Sequence, residues 1–277
     1  NVQFVISKDL NQQAKRVAAF ISSRIFESVG EYHIGLTVGA TTACVYSELR
    51  HLYEVGISDF TNCHFWIFDE FFVSGGESQP LSSSPLSSSL SSRIRSPHFR
   101  EIEKTFLSVL DSSPSSPSSS FSSSASPPNI PSFIHSSFSH YVANDGDLQK
   151  TTEALKNERK KTTLDLVVVT ISPEGNIGWL KDPANLHQEA HLVDISSSNP
   201  IFSKGYTHCV SLGLGDVMKA KEVIVLSVGK NKAGVVSEIV TNKKKRVCTY
   251  YSPSPPPQRY LLFGLACCIF SPSGHIS

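Results

Sequence analysis

The chain has 277 residues, enough for one large domain or two small ones, and its 25 basic and 24 acidic residues leave a formal net charge of +1. So even a balance offers no basic face to a nucleic acid and no charge to an acidic membrane surface. The longest late apolar run, Tyr260 to Phe270, is shorter than the roughly 20 residues a spanning helix needs.

The hydrophobic content of 39% sits a little below the globular norm, and the shortfall is concentrated in a Ser/Pro-rich middle. Cys44, Cys63, Cys209, Cys248, Cys267 and Cys268 form no CxxC pair, and several fall inside apolar patterns. They read as small buried hydrophobes of a reducing, cytoplasmic protein. No signal-peptide pattern opens the chain.

Val2 to Ile6 reads as a first strand. Asp9 can cap a helix in which Leu10, Ala14, Val17, Ala18, Ile21, Ile25 and Val29 recur at helical spacing, with Gly30 as the stop. Ile34 to Val38 is a short apolar strand, followed by Gly39-Ala40-Thr41-Thr42 and a helical pattern through Val45, Leu49 and Leu52 to Gly56. That turn is either an ordinary strand-to-helix connection or an anion site, since free amides and the positive end of a helix face it. Cys63 to Phe68 is a buried strand that ends in Asp69-Glu70-Phe71-Phe72. Strand alternation sends those two carboxylates to opposite faces, so at most one serves a given site; a solvated turn is the alternative.

Ser and Pro dominate 80–96 and 112–137, which bury too little apolar surface to offset their ordering entropy and read as disordered. Between them Pro97 to Leu110, with His98, Phe99, Ile102, Phe106 and Leu110, has a helical pattern. Asp147 to Lys161 reads as a charged helix with Arg159-Lys160-Lys161 as a solvated end.

The stretch from Leu164 opens as a continuous β-branched run, the pattern of a strand buried on both faces. It breaks into Ser172-Pro173-Glu174-Gly175-Asn176, which brings a carboxylate and an amide to the carboxyl end of a strand, where open α/β sheets bind ligands. Leu192 to Ile195 reads as a strand. Val217 to Lys221 reads as a short helix and Glu222 to Val228 as a strand. Lys232 then stands at the start of a helix through Val235, Val236, Ile239 and Val240. Lys243 to Arg246 reads as a solvated loop rather than a nuclear signal.

Leu164 to Pro183 resembles the strand and loop of the glucosamine-6-phosphate deaminase and 6-phosphogluconolactonase superfamily, where the run reads Gly-x-Gly-x-Asp-Gly-His and, in the deaminases, Ile-Ala-Phe-Asn-Glu-Pro. Here Thr170 and Ser172 stand at the glycines, Glu174 at the aspartate and Asn176 at the histidine; aligning Pro183 puts Asp182 at the glutamate, with one extra residue upstream. Gly39 to Thr42 is similar to the family's phosphate loop. Asp69-Glu70-Phe71 is similar to the deaminases' Asp-Glu-Tyr, and Pro97 to Leu110 to the helix that follows it. Lys204 falls where an arginine meets phosphate, and Gly229 to Ala233 resembles the Gly-x-x-Lys-Ala element.

The resemblance implies one Rossmann-like α/β domain over residues 1–250, a three-layer fold with a mostly parallel sheet and helices on both faces. Ser/Pro-rich insertions at about 74–96 and 111–139 interrupt it, and residues 251–277 form an atypical tail outside it. It implies Asp69 as the base that takes the sugar C2 proton, with Glu70 in support and Glu174, Asn176 and Asp182 around the reacting centre. Gly39, Ala40, Thr41, Thr42, Lys204 and Lys232 would bind the substrate phosphate. The implied ligand is a small sugar phosphate, with no metal or organic cofactor and a homo-oligomer as one option. Asn176 cannot titrate near neutral pH as a histidine does. Three readings follow: a glucosamine-6-phosphate deaminase-like isomerase, a catalytically impaired sugar-phosphate-binding relative, and a 6-phosphogluconolactonase of the pentose phosphate pathway.

Overall fold

A computed structural model describes residues 2–73, 97–107, 147–179, 187–241 and 259–265. The Ser/Pro-rich stretches, Asp182 and the Lys243–Arg246 run lie outside the described residues.

β1 (Val2–Ser7) leads into α1 (Leu10–Glu27), whose first turn is capped by Asp9: its Oδ1 accepts from the Gln12 amide at 2.7 Å. α1 ends at Glu27, two residues before the expected Val29, with Ser28 as its C-cap. β2 (Tyr32–Leu36), α2 (Ala40–Glu54) and β3 (Cys63–Ile67) follow, then β4 (Asp69–Val73). α3 (Pro97–Ile102) continues into one π turn (Glu103–Leu107). α4 (Leu148–Lys161), β5 (Leu166–Thr170), β6 (His191–Asp194) and β7 (Tyr206–Ser211) come next. α5 (Leu214–Lys219) begins three residues earlier than its pattern suggests. β8 (Glu222–Ser227), α6 (Ala233–Val240) and β9 (Arg259–Leu265) complete the order.

Six strands form one parallel sheet in the order β1-β9-β8-β5-β2-β3. β5 is buried from Leu166 to Val169 because alternate residues feed two cores. Leu166 and Val168 meet α1 and α2, with Ile102 and Phe106 of α3 and its π turn. Val167 and Val169 meet Leu155 of α4, Val217 of α5 and Val210 of β7. Helices therefore cover both faces of a mostly parallel sheet, as the Rossmann-like expectation requires.

Three features depart from the sequence reading. The apolar run at Tyr260, left without a place by the resemblance, supplies β9, which pairs in parallel with both β1 and β8. Arg159, read as part of a solvated charge run, is buried: its side chain is 3% exposed, 3.8 Å from Asp216 and stacked 4.7 Å from the Trp66 ring centroid. A helix end that packs against a core exposes only the side chains on its outer face, so Lys160 and Lys161 reach solvent and Arg159 does not. Lastly, β4-β7-β6 forms a second, antiparallel sheet.

Candidate functional site

The strand order fixes where the loops gather. β2 leads outward to β3, whereas β5 returns beside β2 and leads the other way to β8 and β9. The switch between β2 and β5 opens a crevice at the carboxyl edge, the general ligand position in such sheets. The loops after β3, β2, β5 and β8 stand side by side there. Adjacent strands lie about 4.8 Å apart, so the β2 and β8 loops are about 10 Å apart.

Asp69 occupies the seam between the two sheets. Phe68, fully buried, donates its amide to Leu36 O of the main sheet (2.8 Å) and accepts from Leu212 N beyond β7 (2.7 Å). That anchoring fixes the position of the next residue, whose side chain is 14% exposed. Asp69 Oδ2 accepts from the Trp179 indole N–H at 3.0 Å, while Oδ1 is buried and accepts no hydrogen bond among the described residues. Trp179 reaches it because Gly178 turns the chain at φ +61°, a conformation that a side chain at that position strains.

Glu70 points the other way, as strand alternation requires. It is buried, and its Oε1 accepts from the amides of Phe71 (3.0 Å) and His98 (3.1 Å), the second of these at the start of α3. Glu70 thus ties α3 to β4. The sequence reading assigned no task to His98. Its Nδ1 donates to Asp69 O at 2.6 Å and lies 3.5 Å from Asp69 Oδ1, and its ring meets Phe71 edge-on at 4.6 Å. Burial works against the imidazolium. The Asp69 carboxylate, with Glu70 behind it, outweighs that and pushes the His98 pKa up to about 9.

The β2 loop places the first amides of α2 at the crevice, where they have no intrahelical acceptor. Gly39 and Ala40 are exposed, and Thr41 is half-buried. Thr42 is fully buried and its hydroxyl donates back to Gly39 O at 3.0 Å, so this loop offers amides rather than that hydroxyl. Tyr46 holds the strand end through its hydroxyl on Thr37 O. On the far side of β5, Lys232 is half-buried at the start of α6, and burial lowers its pKa. Lys204 is exposed at the end of a short 3-10 turn before β7.

The β5 loop is a tight turn. Ser172 N donates to Asn176 O (2.9 Å), Gly175 N to Ser172 O (3.0 Å) and Asn176 N to Ser172 Oγ (3.1 Å). Glu174 and Asn176 are both exposed, and a hydrogen bond with Ser172 lowers the Glu174 pKa. Among the described residues neither side chain contacts Asp69; the later Trp179 does.

Away from the crevice, Glu31, His33 and His64 bring ligand-type atoms within 4.8 Å of one another at the amino edge of β2 and β3. The Trp66 indole donates to His33 Nδ1 at 3.2 Å, which places that neutral ring's proton on Nε2, facing Glu31 at 3.7 Å. An N–H rather than a lone pair meets the carboxylate, an arrangement of polar contact more than of metal ligation.

A family model described as "Glucosamine-6-phosphate isomerases/6-phosphogluconolactonase" matches residues 7–258. The chain belongs to this family. A glucosamine-6-phosphate deaminase of Halothermothrix orenii is 21% identical over 250 residues, which cover 87% of this chain and 88% of that protein. A solved monomeric glucosamine-6-phosphate deaminase shares the fold with a TM-score of 0.66 at 17% identity, covering 95% of this chain and 97% of that one. The 6-phosphogluconolactonase of Trypanosoma brucei does so with a TM-score of 0.63 at 15% identity, covering 95% and 96%. Both branches of the glucosamine-6-phosphate isomerase/6-phosphogluconolactonase family are therefore represented among its structural relatives. No described helix is long and apolar enough to cross a membrane.

Proposed function

We propose that the protein is a glucosamine-6-phosphate deaminase-like isomerase that converts an amino-sugar 6-phosphate to a ketose 6-phosphate and ammonia. The observation that carries this reading is the Asp69 carboxylate. It lies at the edge of the β2–β5 crevice, with Oδ2 oriented by Trp179 and Oδ1 turned inward, 3.5 Å from His98 Nδ1. A base that removes a carbon-bound proton needs a carboxylate held in position by its neighbours. Asp69 takes the proton from C2 of the open-chain sugar and returns it to C1 of the enolamine. Water then replaces nitrogen at C2, which releases ammonia. The amides of Gly39 to Thr41 and the Lys232 ammonium flank the β5 loop and hold the phosphate between them. Lys204 and Asp182 join the site by resemblance, and Glu174 and Asn176 form its outer wall.

The second reading, a binding relative with impaired turnover, draws on the exposed Asn176 in place of a titrating group. Lactone hydrolysis is disfavoured by the same residue, since no described imidazole of the β5 loop is present to activate water. Purified protein given glucosamine 6-phosphate or 6-phosphogluconolactone tests the choice. Ammonia from the first is expected; hydrolysis of the second without ammonia from the first overturns the proposal.

A further inference from the structure

His98 is held from three directions. Its amide donates to Glu70 Oε1 (3.1 Å), its Nδ1 donates to Asp69 O (2.6 Å), and its ring packs edge-on to Phe71 at 4.6 Å. Donation to a carbonyl fixes a proton on Nδ1 and leaves Nε2 as the free end, with no hydrogen-bond partner among the described residues. The side chain is 16% exposed, so the ring is fixed and still reachable.

We propose that His98 is the general acid of the isomerisation, its Nε2–H protonating the sugar ring oxygen as the ring opens. This rests on the isomerase reading of the site. As the C1–O5 bond breaks, its electron pair passes to O5, which takes the Nε2 proton. The C1 hydroxyl gives its proton to the imidazole through water, the C1 carbonyl forms, and the imidazolium is restored. The ring oxygen is two bonds from C2, so the acid that serves it has to stand beside the base that serves C2. His98 Nδ1 stands 3.5 Å from Asp69 Oδ1. Asn176, which cannot titrate, does not provide this proton.

The groups facing His98 keep it charged. Asp69 and Glu70 of β4 outweigh the cost of burial and push its pKa up to about 9. Cys209 of β7, near the same carboxylates, is held neutral because burial first, then those charges, push its thiol well above the ordinary range. The imidazolium is therefore present at neutral pH and lost as pH rises through about 9.

The test is kcat against pH on glucosamine 6-phosphate for wild type, His98→Gln and His98→Asn. Loss of a general acid lowers kcat by about 10²–10⁴-fold. That loss is expected in both variants, with little change in KM and without the alkaline limb near 9 expected of wild type. An active wild type with unchanged kcat and limb in His98→Gln overturns the role and leaves the isomerase reading standing. A folded wild type that binds sugar phosphate without turnover overturns both. Should the variants not fold, a wild-type kcat that stays flat from pH 8 to 10 overturns the role on its own.

Discussion

Replacing His98 by glutamine should remove a pH-dependent part of the stability. The imidazole titrates at 6.5 when unperturbed and at about 9 in the folded protein, where burial opposes and the Asp69 and Glu70 carboxylates favour the charged form. A folded-state value above the unfolded one means stability that is fully present below pH 6.5 and lost as pH rises through 9. Each pKa unit is worth about 1.4 kcal/mol, so the gap corresponds to about 3 kcal/mol. With the side chain 16% exposed, solvent screening trims this rather than removes it. Urea unfolding of wild type and His98→Gln at pH 6 and pH 9.5 reads the difference. Wild type should lose between about 1 and 3 kcal/mol more than the variant across that interval. Parallel losses in the two proteins would refute the assigned charge and the contact that sustains it.

The other predictions concern the frame and the phosphate end. An alanine Cβ at Gly178 would lie 2.7 Å from Phe68 Cε1 at φ +61°. Gly178→Ala should therefore cost about 1–3 kcal/mol and lower kcat by displacing Trp179, measured by thermal unfolding and steady-state kinetics. At Gly213 an added Cβ would fall 1.7 Å from Gln188 O, a backbone atom that also accepts from Gly215 N at 2.9 Å. Gly213→Ala should lose about 3 kcal/mol or more in the same unfolding assay, since overpacking against backbone cannot relax cheaply. Lys232→Met should raise KM for the sugar phosphate about tenfold or more while changing kcat little, and Lys232→Arg should restore part of the affinity.

How legible each part was in the sequence follows from how local its cause is. β5 was plain because a strand buried on both faces must be apolar at every position, and α1 because Asp9 and the apolar spacing lie within the helix itself. β9 was not, since a short apolar run beyond a Pro-rich tract has no period that distinguishes strand from helix, and its partners β1 and β8 are remote in sequence. Arg159 was misread because a run of three basic residues says nothing of Asp216 and Trp66, which the fold brings to it. The carboxylate pair at Asp69 and Glu70 was legible as a pair whose members meet different partners. The partner of Asp69 was not, because His98 lies 29 residues on, across the Ser-rich stretch, and only the β4–α3 packing joins them. Glu174 and Asn176 were singled out by their place after β5. The closure of that loop on Ser172 turns both outward, and no local pattern reports it.

The central claim is that Asp69 is the base of a sugar-phosphate isomerase. The direct measurement is release of ammonia and fructose 6-phosphate from glucosamine 6-phosphate by wild type and Asp69→Asn, with binding of the sugar phosphate followed in both. Turnover by wild type that falls about 10²-fold or more in Asp69→Asn, with binding retained, is the predicted result. Equal turnover in the two proteins, or none in a folded wild type that binds the sugar phosphate, would contradict it.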